Sequence, residues 1–155
     1  WPLFFRHLQF GVACFDTQAC LVVYNDFEFG TPVPTKPLSA WTPQAYDALM
    51  SASYGPVPRS APPAQVTWRC KDGAELHAEV DVAAIFADGA IRHDVPREDI
   101  PEEISMGSTH VLVEVNDRTV SVYTRTMIPT KREQIPGNKH SMFRSDLIKV
   151  YSRTY

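Results

Sequence analysis

From Val66 to Ala78 the chain reads Val-Thr-Trp-Arg-Cys-Lys-Asp-Gly-Ala-Glu-Leu-His-Ala, with apolar and polar residues alternating on both sides of Asp72-Gly73. Strand side chains alternate between faces, so two such runs joined by a tight turn form a hairpin whose register is set by its apolar face. A two-residue Asp72-Gly73 turn sets Trp68 opposite His77 and Val66 opposite Glu79, mixing apolar with charged groups. A three-residue Lys71-Asp72-Gly73 loop pairs Cys70 with Ala74, Trp68 with Leu76 and Val66 with Ala78, and places Gly73 at the left-handed position of a G1 bulge. The second register leaves one apolar face, with Glu75, His77 and Glu79 in solvent.

The same logic applied to the cysteines predicts a hairpin of Phe10-Gly-Val-Ala-Cys14 and Cys20-Leu-Val-Val-Tyr24. Pairing Cys14 with Cys20 also pairs Val12 with Val22 and Phe10 with Tyr24. The six side chains share a face, and two cysteines directly opposite have the Cβ separation a disulfide needs. Two buried free thiols are the alternative, since Cys behaves as a small hydrophobe. Cys70 shares the apolar face of Val66 and Trp68 and is expected to be a core thiol. Three cysteines without a Cys-x-x-Cys give no zinc pattern.

A third hairpin joins Thr109–Val115 to Thr119–Arg125, where a two-residue Asn116-Asp117 turn pairs Val113 with Val120 and Val111 with Val122. The tail from Ser145 to Tyr155 fits either a strand or a helical spacing of Phe143, Leu147, Tyr151 and Tyr155; its β-branched and aromatic content favours a strand. Eight of the thirteen prolines lie between Thr31 and Pro63, so that stretch cannot be sheet interior. It is expected to be a connector, polyproline-like at Pro32–Pro34 and Pro56–Pro63, holding one short helix. Thr42 caps that helix, Pro43 opens it, and Tyr46, Leu49 and Met50 share a face. Asp81 is expected to cap a second helical turn that buries Val82, Ile85 and Phe86 and stops at Asp88-Gly89. Together these elements predict a mainly β fold, an antiparallel β-sandwich built from hairpins.

At 155 residues, 44% hydrophobic and 21% charged, the chain has the size of one globular domain. No apolar run approaches the ~20 residues of a membrane span. The chain begins at Trp1 rather than Met, and a cysteine bridge belongs in an oxidising compartment. The expectation is therefore a removed export or lipid-anchor segment and a periplasmic or otherwise extracytoplasmic location. Charge is uneven: residues 1–117 carry 7 basic and 16 acidic side chains, net −9, and residues 118–155 carry 8 and 2, net +6. Pairing of the basic C-terminal part with acidic neighbours inside the fold is favoured over a bipolar partner surface. A basic stripe with interleaved aromatics is absent, which argues against nucleic acid.

No Gly-x-Ser-x-Gly elbow, His-Glu-x-x-His or phosphate-binding glycine loop occurs. His77 and His110 are expected on exposed strand faces, His7 and His140 near strand or loop ends, and His93 before the acidic segment. No cofactor or metal is expected. The segment Arg92–Glu103, with Pro96, Pro101, five acids and two basic residues, is predicted to be an exposed loop. Trp41, Tyr46, Tyr54 and Trp68 are the aromatics that could line a groove for a sugar, peptide or lipid, with core packing the stronger expectation for Trp68.

Four phrases carry a resemblance: the Tyr24-Asn25 strand end, Trp41-x-Pro43, Val66-x-Trp68 leading to Lys71-Asp72-Gly73, and Val115-Asn-Asp-Arg118. In layout the chain resembles small bacterial extracytoplasmic proteins, often lipoproteins, encoded beside secreted toxins such as the lipase and phospholipase effectors of type VI secretion. The resemblance implies an immunity protein, not an enzyme, that binds its cognate toxin and blocks it. For such a protein the candidate partner-binding residues are Arg97, Glu98, Asp99, Glu102 and Glu103, with Trp41, Tyr46 and Tyr54 as aromatic anchors.

Overall fold

The computed structural model describes residues 3–155. Among the described residues eleven strands form: β1 His7–Phe15, β2 Thr17–Tyr24, β3 Phe27–Thr31, β4 Tyr54–Pro58, β5 Ala64–Cys70, β6 Glu75–Val80, β7 Thr109–Asn116, β8 Thr119–Thr126, β9 Ile128–Pro129, β10 Phe143–Arg144 and β11 Ile148–Thr154. A five-stranded sheet in the order β11-β8-β7-β1-β4 packs on a four-stranded sheet in the order β3-β2-β5-β6, and β9 and β10 pair separately. Phe10, Val22, Tyr24, Val66, Trp68, Val113 and Val122 fill the layer between the two large sheets. The mainly β sandwich expected from the alternation is present. One pairing departs from the antiparallel pattern, because β1 lies parallel to β7 over eight residue pairs, Leu8↔Thr109 to Phe15↔Asn116.

The first predicted hairpin does not exist as a strand pair. β1 bonds to β4 and β7, and β2 bonds to β3 and β5. Only Asp16, at φ 52, separates the two strands, so the chain turns a corner from one sheet into the other. Cys14 and Cys20 are nevertheless bridged, with Cα atoms 6.6 Å apart. Their side chains face each other between sheets, and Phe10 stacks on Tyr24 in the same way, ring centroids 4.2 Å apart. The residues expected to be neighbours on one face are neighbours across one layer. β1 has no free edge for β2, since β4 and β7 take both, and its two faces are both covered: Leu8 and Phe10 enter the main core, and Ala13 and Phe15 pack outward with Met50, Ala52 and Leu112 beneath the connector.

The second hairpin keeps its predicted register, with Trp68↔Leu76 and Val66↔Ala78. Gly73 has φ +91, and the Cys70 N–H donates to the Ala74 carbonyl at 3.0 Å, as the three-residue loop requires. The third hairpin is shifted by two residues: Val113 pairs with Val122, Val115 with Val120, and Asp117-Arg118 form the turn. The expected register sets Val115 opposite Arg118; the observed one sets it opposite Val120, with both valines fully buried. Asp117 rewards the shift. Its N–H donates to the Phe15 carbonyl at 2.9 Å, its own carbonyl accepts from Trp68 Nε1 at 2.7 Å, and its carboxylate accepts from the Lys71 N–H at 2.9 Å.

The proline-rich connector holds the expected helix, α1 Pro43–Leu49, with Thr42 Oγ1 accepting from the Ala45 N–H at 3.1 Å. Its continuation corrects the polyproline expectation, because Tyr54–Pro58 is strand β4 at the sheet edge. Proline is tolerated there, since an edge strand needs donors on one side only. α2 Val82–Ile85 starts at Asp81, whose carboxylate accepts from the Ala84 N–H at 3.1 Å. The C-terminal residues form β11 against β8, which settles the tail as strand.

Two stability predictions follow from this core. Closing so short a loop, the bridge stabilises the fold by about 2 kcal/mol in the chain-entropy model. Cys14→Ser/Cys20→Ser is therefore expected to lower the urea midpoint, as reductant does for the parent. Tyr24 Oη is buried with no hydrogen-bond partner among the described residues, and burial pushes its phenol up to about 12. An unfolded tyrosine ionises near 10, so between pH 10 and 12 the unfolded chain sheds a proton that the folded chain keeps, and about 2 to 3 kcal/mol of stability drains away. Tyr24→Phe removes that part of the alkaline loss and stabilises by about 1 kcal/mol at neutral pH, because an unsatisfied hydroxyl is deleted. Urea titrations across the alkaline range measure both.

Candidate interaction surface

The acidic segment is a braced knuckle rather than a free loop. Val95 and Ile100 are buried in the main core at its two ends, and a short 3-10 turn, Arg97–Asp99, lies between them. Asp99 is only 4% exposed, which corrects its assignment to an exposed binding loop. Its carbonyl accepts from the Lys131 N–H at 2.7 Å, and its carboxylate accepts from Arg132 Nε at 3.2 Å. Beside the guanidinium of Arg132, burial of Asp99 is compensated by charge and hydrogen bonding. With Asp99 drawn inward, Arg97, Glu98, Glu102 and Glu103 remain on the outside.

The three aromatic candidates do not converge. Trp41, 37% exposed, stands edge-on to Phe15, with ring centroids 6.2 Å apart. Tyr46 packs on the same Phe15 from α1, and its hydroxyl donates to Glu114 Oε2 at 2.6 Å. Glu114 is itself 5% exposed on β7, so this bond satisfies a buried carboxylate, and burial together with Glu114 pushes the Tyr46 phenol well above its ordinary range. Tyr54 belongs to the opposite flank, where it stacks on Phe27 at 4.6 Å and meets Phe29 edge-on at 5.2 Å, closing the side between β3 and β4. Trp68 is core, 2% exposed.

His110 also departs from its expected exposed position. The connector lies over that face, and His110 Nδ1 accepts from the Ala52 N–H at 3.1 Å. Burial and the neighbouring Arg125 hold its pKa below the ordinary histidine value. His77, His7 and His140 are exposed. Among the described residues no group of three or more His, Cys, Asp or Glu is placed to hold a metal ion, and no helix is long and apolar enough to cross a membrane.

One concavity was not disclosed by the sequence. A groove of about 550 Å³ runs over the outer face of the four-stranded sheet, floored by Ala19, Leu21 and Thr67 and bounded by Glu28, Arg69 and Glu75. Gly30 lets β3 approach β2 at its edge: its φ is +104, and a Cβ there would overlap the Cys20 carbonyl oxygen. The segment from Pro129 to His140, expected only as a connector, forms the excursion between β9 and β10 and carries both exposed apolar and basic residues.

Tyr46→Phe separates a structural pin from a partner anchor. Removing the donor to a buried carboxylate is expected to destabilise the fold by about 1 to 3 kcal/mol, read by denaturant titration of the free protein. No protein-family model, curated protein or solved structure matches this chain.

Proposed function

We propose that this chain is an extracytoplasmic immunity protein that binds a secreted antibacterial toxin and neutralises it by occlusion, without catalysis of its own. The resemblance in layout to proteins encoded beside type VI lipase and phospholipase effectors suggests the class of toxin. The Cys14–Cys20 bridge is compatible with the periplasm, where such an inhibitor acts. The observation that carries the proposal is the braced acidic knuckle. Asp99 and the buried Val95 and Ile100 hold the backbone at Glu98 and up to the start of Glu102-Glu103, so this acidic surface is largely shaped before binding and the ordering cost falls on the side chains. Acidic side chains on a rigid support suit a basic rim around a toxin's active site, and they speed encounter as well as fix orientation.

The groove over the four-stranded sheet favours a second reading, an extracytoplasmic module that takes an extended ligand across Ala19, Leu21 and Thr67. The two readings are told apart by co-expressing the chain with the toxin encoded next to it. Rescue of growth, and a complex of the purified pair, are expected for the immunity protein. Glu98→Lys/Glu102→Lys/Glu103→Lys is expected to weaken that complex at least about tenfold, mainly through slower association, while thermal unfolding stays unchanged. A toxin that is neither bound nor neutralised sinks the proposal.

A further inference from the structure

The excursion between β9 and β10 lies outside the proposed toxin contact. Every residue from 131 to 140 is exposed except Glu133, which is half-buried. It is not a loose loop. The Thr130 N–H donates to the Met142 carbonyl and the Gln134 N–H to the Ser141 carbonyl, both at 3.0 Å. Ser141 Oγ accepts from the Ile135 N–H at 3.0 Å and donates to the Asn138 carbonyl at 2.6 Å, while Asn138 Oδ1 accepts from the His140 N–H at 2.9 Å. Its shape is therefore set before anything binds.

On this frame Ile135 is 60% exposed, Met142 and Phe143 are each 42% exposed, and Met127 at the base is 40% exposed. Between them stand Lys131, Arg132, Lys139 and His140, with Glu133 the only acid from Met127 to Phe143. Among the described residues neither Lys131 nor Lys139 has an ion-pair partner. Arg132 pairs with Asp99, yet its side chain remains 77% exposed. What sets this segment apart is that these cations share it with exposed apolar side chains, whereas Arg118 and Arg125 are tied to Asp72 and Asp47.

A second copy of the chain is a poor occupant, because a two-fold contact through this excursion sets its cations against themselves. A rigid protein partner must match these cations and the exposed Ile135, Met142 and Phe143 position by position. An anionic lipid surface offers phosphates at the level of the lysines and a soft apolar layer just below for the side chains between them. We propose that residues 130–143 dock the protein on anionic phospholipid, with Ile135, Met142 and Phe143 entering the boundary between headgroups and acyl chains. Lys131, Arg132 and Lys139 meet the phosphates. Such binding is reversible and falls as salt rises.

Co-sedimentation of the full chain with vesicles tests this in the absence of any toxin, so its outcome is independent of the immunity reading. Binding is expected to vesicles of phosphatidylcholine mixed with phosphatidylglycerol, and not to phosphatidylcholine alone. Lys131→Glu/Lys139→Glu is expected to lower partitioning at least about tenfold. Ile135→Asp and the milder Ile135→Ser each lower it without altering thermal unfolding, since the side chain stands in solvent. Failure to bind the anionic vesicles, equal binding to both kinds, or partitioning untouched by these substitutions overturns the proposal, as does binding of an acidic protein through this excursion in place of lipid.

Discussion

Asp117 is the point on which the two sheets are hung. It sits in the turn of the β7–β8 hairpin at φ 50, and its three polar groups reach three different parts of the chain. Phe15 ends β1 beside it, Trp68 lies in the facing sheet, and Lys71 opens the β5–β6 turn. A buried indole N–H without an acceptor is costly, so the Trp68 bond alone favours this turn over the neighbouring one. Because the same residue caps Phe15, the corner at Asp16 and the hairpin turn are held at one height, and the cysteine bridge then closes the gap between the layers. Arg118 adds a charged tie to Asp72 at 2.8 Å, and Asp72 in turn accepts from Cys70 Sγ and the Ala74 N–H, which hold its carboxyl well below the usual carboxylate range.

What was legible in the residues follows from this arrangement. Where a strand has one apolar and one polar face, as in β5 and β6, alternation and turn chemistry specify the register, and Trp68 meets Leu76 as expected. β1 carries small or apolar residues on both faces, so alternation says which residues are buried and not which strand lies alongside. Phe10 and Tyr24 were rightly matched as partners and wrongly placed in one sheet. Period two cannot distinguish a neighbour across hydrogen bonds from a neighbour across a sandwich. The shift in the third hairpin has a different cause, since only the distant Trp68 and Lys71 make Asp117-Arg118 the better turn.

The candidate surface was legible to a lesser degree. Composition marks 92–103 as acidic and loop-like, and its glutamates do lie outside. Nothing local separates Asp99 from Glu98; the distinction is made by Arg132, thirty-three positions along the chain. The same kind of long-range pairing joins the two oppositely charged parts of the sequence at three places. Arg118–Asp72, Arg125–Asp47 and Arg132–Asp99 each join a basic residue after position 117 to an acid before it. These pairs take up three of the eight cations after position 117, and the lysines of the excursion are among those left over.

Those leftover cations and the outward glutamates stand on two segments that share one joint. Asp99 belongs to the acidic knuckle, and Lys131 and Arg132 begin the cationic excursion, so the bonds that brace one segment also fix the foot of the other. The pair joins a buried carboxylate to a guanidinium that stays mostly in solvent, and Glu98, Glu102, Glu103, Lys131 and Lys139 all stand exposed around it. A partner drawn to the glutamates and an anionic surface drawn to the lysines then engage the same end of the sandwich without competing for the same side chains. Loosening the Asp99–Arg132 joint would soften both segments at once, which makes this one ion pair the mechanical link between the two proposed contacts.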